Sequence, residues 1–216
     1  MLRAACILIL AAIIWWVWPD AGLRHAPGVI APAVPAQEMI PPKSLPDFKG
    51  YKLEAVATYA LHARVLHSKH YWVDGNDLVP YDIALGWGRM SDQKVLDQLK
   101  ISQTNRFFFY QWQGESPIPP GEIVRSAANN HIISANSDVA KAVSHLRPGQ
   151  LVAMRGYLVN ATGPNGSHWN TSLTRDDTGN GACELFYVEE IIVSNEPLPA
   201  DYQKLVATAK ESAATK

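Results

Sequence analysis

The chain has 216 residues, which is enough for one ordinary domain with a hydrophobic core and too few for two large ones. Its 19 Lys and Arg residues nearly balance its 20 Asp and Glu residues. This balance excludes a strongly basic nucleic-acid binder held mainly by counterion release, and also an acidic solvating tail. With 47% hydrophobic and 18% charged residues, the chain is neither disordered nor built to cross a membrane several times.

The N-terminus carries an apolar run, AACILILAAIIWWVW, over residues 4–18, directly after Arg3. As a helix the run spans roughly 22 Å, so its length fits both a signal-peptide core and a short membrane anchor. Triplets suited to cleavage, such as Ala31-Pro32-Ala33, begin more than ten residues after the run, and its terminal tryptophans are typical of a membrane interface. We therefore predict an uncleaved transmembrane signal anchor over residues 1–20, which places the rest of the chain outside the cytoplasmic membrane.

Residues 21–48 contain many prolines among small residues and show no helical or strand periodicity. This composition predicts a semi-rigid, extended linker. In a polyproline II conformation, at about 3.1 Å per residue, such a linker could hold the following domain up to roughly 75 Å from the bilayer.

A folded domain is predicted over residues 49–197, where aromatic and β-branched residues are frequent. Alternating apolar and polar residues predict a long strand from Tyr51 and shorter strands over 82–87 and 107–112. The Ser91-Asp92 pair predicts an N-cap for a helix over 93–99.

Helices and strands are also predicted in the second half of the domain. Ser137 and Asp138 predict the cap of a short helix over 139–146, whereas residues 122–130 fit either a helix or irregular structure. Gly156 predicts a bulge or bend within its strand. The other predicted strands cover residues 131–133, 150–160 and 184–193, and residues 198–216 form an Ala- and Lys-rich tail with a frayed helix.

These patterns predict an α+β fold, mostly antiparallel β, with one or two short helices and a small curled barrel. The segment SDVAKAVSHLRPGQLVAMRGYLV resembles the helix and glycine-bent strand of OB-fold proteins, and the resemblance extends over residues 131–193. The blocks LGWGRMSD and TSLTRDDTGNGACE are similar to those of bacterial membrane-anchored envelope proteins of unassigned function. The OB resemblance implies a binding module for an oligomer or a partner.

Contact residues are expected on the loop from Ala161 to Gly181, because long loops on a rigid scaffold often carry function. Trp169, Arg175 and Asp177 are the candidate contact residues of this loop. Aromatic residues are more numerous than one buried face can hold, so some should be exposed to stack on a ligand or should form a second core layer. Trp87 and Trp112 are the candidate contact residues from this group.

Catalytic and metal sites have weaker support in the sequence. His62, His67 and His70 are close in sequence, but on a continuous strand their spacing places neighbours on opposite faces. Cys183 is the only cysteine after the anchor, and a lone cysteine is more often a small buried residue than a nucleophile. The Asp176–Gly181 turn lacks the glutamate at position twelve that a calcium loop needs. We therefore predict no catalytic residue, metal site or cofactor.

The sequence thus predicts a membrane-anchored binding or assembly module without catalysis, whose partner is another envelope protein. One alternative is an extracytoplasmic hydrolase that uses a histidine-bound metal or Cys183. A second is a single-stranded nucleic-acid-binding OB protein, although residues 49–197 carry 13 basic and 15 acidic groups, which argues against nucleic acid.

Overall fold

A computed structural model describes residues 22–71, 77–174 and 183–199, and these residues form a mostly antiparallel β-sheet protein with short helices. The predicted α+β class is confirmed at this level. The described part contains three short α-helices, α1 (Gln93–Leu96), α2 (Pro120–Arg125) and α3 (Ser137–Ser144), and a 3-10 turn at Gly88–Ser91. The strands are β1 (Ala36–Phe48), β2 (Tyr51–His70), β3 (Tyr81–Gly86), β4 (Lys100–Thr104), β5 (Phe107–Gln111), β6 (Ala127–Ser134), β7 (Leu151–Thr162), β8 (His168–Trp169) and β9 (Glu184–Ser194).

Five strands pair in an order that returns to its starting strand. β2 pairs with β3, β3 with β6, β6 with β9, β9 with β7, and β7 again with β2. All of these pairings are antiparallel except that of β6 with β9, which is parallel. β1 adds to the edge of β2, β8 pairs with the end of β7, and β4 and β5 form a separate hairpin.

The two faces of these strands bury different side chains. The face that packs against α3, here called the helix-side face, is mostly apolar and includes Ile83, Ile132 and Phe186 together with Val139 and Val143 of α3. By alternation its buried polar residues include Asn130 and Glu184, which are register partners in β6 and β9. Side chains alternate along a strand, so Asp82 and His131 project from the opposite face. We call this second face of β3 and β6, over which the β4–β5 hairpin lies, the hairpin-side face.

The predicted strands from Tyr51 and over 82–87, 107–112, 131–133, 150–160 and 184–193 are confirmed, with shifts at their ends. Gly156 lies at a register shift beside Arg155, as predicted, and an added Cβ there would come within 2.0 Å of the Tyr187 carbonyl oxygen. The bend therefore requires glycine because the backbones of β7 and β9 approach too closely for a side chain.

Two helices differ in detail from their predictions. Asp92 caps α1 as expected, but the helix ends at Leu96 rather than at residue 99. The cap of α3 is Asn136, whose side-chain oxygen accepts hydrogen bonds from the backbone N–H groups of Asp138 and Val139. The prediction of a Ser137-Asp138 cap was therefore wrong by one position, because asparagine caps a helix as well as serine does.

The prediction of an extended linker over residues 21–48 was wrong where the structure describes it. Residues 36–48 form β1, an edge strand that pairs with β2. Proline lacks a backbone N–H and is tolerated only at edges and irregularities of a sheet. The prolines of β1 follow this rule, since Pro41 and Pro42 lie in the register shift between Met39 and Lys43, and Pro46 lies in the shift between Leu45 and Phe48.

Residues 22–31, which we call the strap, also lie against the domain. The Leu23 N–H donates to the Pro148 carbonyl at 2.8 Å, and the Ile30 and Ala31 N–H groups both donate to the Ser91 hydroxyl oxygen. The Arg24 guanidinium donates to both carboxylate oxygens of Asp97, at 2.7 and 2.8 Å. Hydrogen bonds from Gln93 and then Arg24 lower the pKa of Asp97.

The buried Arg64 side chain also binds the strap. Its guanidinium donates to the carbonyl oxygens of Ser91 and Leu23 and to the side-chain oxygen of Gln93. Burial lowers the pKa of this guanidinium. The strap is thus fixed by backbone and side-chain bonds along its length rather than by a single contact.

Among the described residues, none of the helices has the length and apolar character needed to cross a membrane. The predicted anchor at residues 1–20 and most of the predicted tail lie outside the described residues.

Candidate binding face

Buried polar side chains lie on the hairpin-side face, with an aspartate–histidine pair at their centre. Asp82 of β3 and His131 of β6 are direct cross-strand partners in the sheet register. The His131 Nδ1 atom lies 2.7 Å from the Asp82 Oδ1 atom, and the two side chains are 3% and 0% exposed. Because an ionised carboxylate only accepts hydrogen bonds, His131 donates to Asp82 from a protonated Nδ1. Its second ring nitrogen, Nε2, does not take part in this contact.

Arg106 supplies a positive charge to the same carboxylate. It follows Asn105 in the turn between β4 and β5, and both residues have positive φ angles, 50° and 69°, as this tight hairpin turn requires. The turn directs the Arg106 guanidinium onto Asp82 Oδ1 at 2.8 Å and onto the Val79 carbonyl at 2.7 Å. The guanidinium carbon also lies 3.9 Å from the centre of the Tyr71 ring. The ion pair therefore joins the hairpin to β3, and the ring contact joins it to Tyr71, directly after the end of β2.

A chain of amide side chains extends from this centre. The Asn129 side-chain amide donates to the Arg106 carbonyl at 2.9 Å and lies 3.7 Å from the Cys183 sulfur. Gln103 donates to the Asn129 side-chain oxygen and in turn contacts the His67 ring at 2.8 Å. The half-buried Cys183 thus belongs to the polar network, although its closest described contacts are with Asn129 and Arg106 rather than with His131.

Trp169 connects the long loop after β7 to this face. It pairs with Ala161 through β8, and its ring meets the His131 ring edge-on at a centroid distance of 4.8 Å. The Thr171 hydroxyl oxygen accepts from the Leu185 N–H, so the loop is also bonded to β9. Within the described part of the loop predicted to make contacts, Trp169 therefore lies directly beside the aspartate–histidine pair.

The predicted contact residues do not lie together. Trp169 is half-buried on the candidate face, whereas Trp87 is 1% exposed and packs in the helix-side core, where no ligand reaches its ring. Trp112 stacks on Tyr110 and lines a shallow cleft of about 630 Å³ with Asp97 and Lys100. Arg175 and Asp177 lie outside the described residues.

The excess of aromatic residues is explained in part by a second core layer. Phe108, Tyr110 and Trp112 alternate along one side of the hairpin and pack against a cluster that includes Met90 and Val95. Phe109, on the opposite side of the same strand, is 44% exposed.

The three neighbouring histidines do not converge on one point. His62 is fully buried and neither ring nitrogen has a partner in the described part of the chain, His67 contacts Gln103, and His70 stacks on Tyr81 at 4.2 Å. Burial lowers the pKa of both His62 and His70. Across residues 22–71, 77–174 and 183–199, no group of three or more His, Cys, Asp or Glu side chains could hold a metal ion.

Sequence reasoning did not identify Arg106, Asn129, Gln103 or His131 as site residues. The signal available was the alternation within β6, which places Asn129 and His131 on the same face. What the sequence does not contain is the strand register, which alone brings His131 opposite Asp82, 49 residues earlier in the chain.

Comparison of the chain with protein-family models, with curated proteins and with solved structures gave no match. The candidate face is therefore interpreted from its own geometry.

Proposed function

We propose that this protein is a membrane-anchored extracytoplasmic binding or assembly module built on an OB-like barrel. The ring of strand pairings supports the barrel. Counted from β2, the strands of the ring follow the chain as β2, β3, β6, β7 and β9, and α3 lies between the third and the fourth, as the OB resemblance implies. The apolar N-terminal run after Arg3 supports the anchor and the extracytoplasmic location.

In OB domains the outer face of the second and third strands and the loops beside it bind oligomers. The corresponding face here is the hairpin-side face of β3 and β6, and the loop between the fourth and fifth strands carries Trp169. The observation that carries the proposal is the contact of Trp169 with His131, which Asp82 orients. This contact seats the partly exposed Trp169 ring on the buried Asp82–His131 pair, so the surface offered to a partner is the ring and the loop residues beside it.

Two properties of Trp169 favour the binding of a partner. A partly exposed indole offers an apolar ring with a hydrogen-bond donor, a combination that is frequent at the centres of interfaces. Because the ring already packs on buried His131, which Asp82 orients, little side-chain entropy of Trp169 is lost when a partner binds.

The test is photo-crosslinking of the tagged full-length chain in its native membrane, followed by mass spectrometry. We expect a defined envelope protein to be captured, and we expect its yield to fall at least fivefold in the Trp169→Ala variant. Phe109→Ala is the matched control, because it removes another exposed aromatic ring from the far side of the hairpin. Equal yields in all three proteins, or the absence of any specific product, would contradict the proposal.

A thiol hydrolase is the second candidate, because Asp82 and His131 come from the paired strands β3 and β6, Cys183 directly precedes the neighbouring strand β9, and Asn129 links the cysteine to the network. A reactive thiolate would label rapidly with iodoacetamide in the native protein, and the Asp82→Asn variant would label at least tenfold more slowly. A labelling rate typical of an ordinary protected thiol, unchanged by Asp82→Asn, would exclude this candidate.

The metal-dependent hydrolase and the nucleic-acid binder have simpler tests. A chelator should lower the melting temperature if a metal is bound. Single-stranded nucleic acid should be retained at low salt and released as salt increases if the face binds phosphates.

A further inference from the structure

The strap changes the geometry expected between the membrane and the domain. Its first contact with the domain is at Gly22 and Leu23, where the Leu23 N–H donates to Pro148 and the Leu23 carbonyl accepts from Arg64. The next contact is the bidentate ion pair of Arg24 with Asp97. Bonds to Gln93, Asp92 and Ser91 then continue as far as Ala31.

The predicted apolar run ends at Trp18, so only residues 19–21 separate it from Gly22. A fully extended chain advances at most about 3.6 Å per residue, and four such steps reach about 14 Å. Gly22 and the Pro148 corner that it contacts cannot lie farther than this from the end of the anchor. The linker therefore cannot act as a stalk, because its first ten described residues are bound to the domain.

We propose that the end of the domain formed by Leu23, Arg24, Arg147 and Pro148, here called the strap end, lies against the lipid headgroups of the membrane that holds the anchor. This inference rests on the membrane anchor of the proposed function. The side chains present are suited to that position, since Leu23 is 36% exposed, Arg147 is an exposed cation, and Arg24 remains 70% exposed although it pairs with Asp97. Arginines near an anionic surface are attracted to it, and an exposed leucine can enter the interfacial region.

The orientation also determines what faces away from the membrane. β7 begins at Leu151, three residues after Pro148, and extends for 12 residues to Thr162. At about 3.3 Å per residue the strand is about 36 Å long when straight, so its far end lies at most about that distance from Leu151, and less because the strand bends at Gly156. Trp169 pairs with Ala161 at that far end. The proposed orientation thus places Trp169 at the end of β7 opposite the strap end, a separation for which the sequence predicts a proline-rich stalk.

The experiment measures energy transfer from two positions to acceptor lipids in the bilayer. The full-length chain, with Cys6→Ser and Cys183→Ser, is reconstituted into vesicles of phosphatidylglycerol and phosphatidylethanolamine and labelled at Ala26→Cys or Ser167→Cys. Ala26 is an exposed residue of the strap, and Ser167 is an exposed residue of the turn beyond β7. We expect the transfer efficiency at position 26 to be at least twice that at position 167.

A ten-residue Gly-Ser insertion between Asp20 and Ala21 sharpens the test without changing any described residue. It should lower the efficiency at position 26 towards that at position 167, because the strap end can then leave the surface. If the protein floats with the vesicles but the two efficiencies are equal, the orientation is overturned while the anchor stands. If the protein does not float with the vesicles, the anchor fails and the orientation fails with it.

Discussion

The helix-side face and the hairpin-side face belong to the same strands, but different interactions stabilise the side chains buried on each: apolar packing on the first and polar contacts on the second. On the helix-side face, Phe186 meets Tyr59 edge-on and apolar side chains form most of the rest, although Asn130 and Glu184 are also buried there. On the hairpin-side face, buried Asp82 and His131 and half-buried Arg106 have specific polar partners. An apolar layer tolerates any well-packed combination of similar volume, whereas a buried polar layer requires each partner in place. Each polar residue of the hairpin-side face must therefore keep its position, whereas apolar residues of the helix-side face can be exchanged for others of similar volume.

The largest effect is expected on the helix-side face. Phe186→Ala should lower the free energy of unfolding by about 3 to 5 kcal/mol, because a fully buried aromatic ring is replaced by a cavity. Urea unfolding of the full-length chain in micelles measures this loss, and Phe109→Ala serves as the exposed control. A similar loss in both variants would mean that the two rings are equally buried, contrary to the structure.

On the hairpin-side face, Asp82→Asn should lower the free energy of unfolding by about 3 kcal/mol, because it removes the fully buried carboxylate that both Arg106 and His131 contact. Asp97→Asn removes a carboxylate from an exposed pair with Arg24 and should cost less than about 1 kcal/mol. The same urea titration compares the two variants. Equal losses would show that burial of the Asp82 pair does not matter.

The buried His62 should make stability depend on pH. By alternation with Leu61, its ring projects from the same face of β2 as Arg64, and burial lowers its pKa below the ordinary value of 6.5. The unfolded chain takes up a proton near pH 6.5 while the native ring stays neutral. The free energy of unfolding should therefore fall as pH decreases from 6.5 towards the lowered native pKa, by at most about 1.4 kcal/mol per pH unit.

His62→Leu should weaken this dependence, and His168→Ala, at an exposed position, should leave it unchanged. Urea unfolding at pH 7.5, 6.5 and 5.5 gives the slopes. An identical slope for the wild-type chain and His62→Leu would assign the acid sensitivity to other groups.

The smallest effect concerns the cap of α3, which covers the helix-side face. Asn136→Ala should cost about 1 kcal/mol, because two backbone N–H groups lose their acceptor. Ser137→Ala, at the position that the sequence favoured, should change stability by only a few tenths of a kcal/mol, as is usual for an exposed substitution away from a cap. Thermal unfolding of the two variants side by side would reveal the reverse order if Ser137 were the cap.

The sequence predicted the helix-side face better than the hairpin-side face, and the reason is physical. Alternation of apolar residues identifies β2, β3, β7 and β9 because each strand must bury one face. No local rule places Arg106 against Asp82, because their contact depends on a turn with two left-handed residues and on the position of the whole hairpin.

The structure differs from the prediction for the proline-rich segment for a related reason. Prolines exclude a regular strand, but β1 is an edge strand with register shifts where its prolines lie, and tertiary pairing with β2 overrides the local signal. The strap was missed because several of its bonds are made by backbone N–H groups to Ser91 and Asp92, and such contacts leave no mark in the composition of residues 22–31.

The pairings of β2 also constrain the order in which the chain can fold. β2 pairs with β1 and β3, the strands directly before and after it in the chain. Its pairing with β7 joins Lys52 to Thr162 and Arg64 to Leu151, roughly a hundred residues apart. Contacts between such distant segments form slowly, because a long loop must close before they are made. In a chain that is made N-terminus first, β1 and β2 are present well before β7. The edge of β2 that pairs with β7 in the folded protein stays without that strand until the last third of the chain has been added.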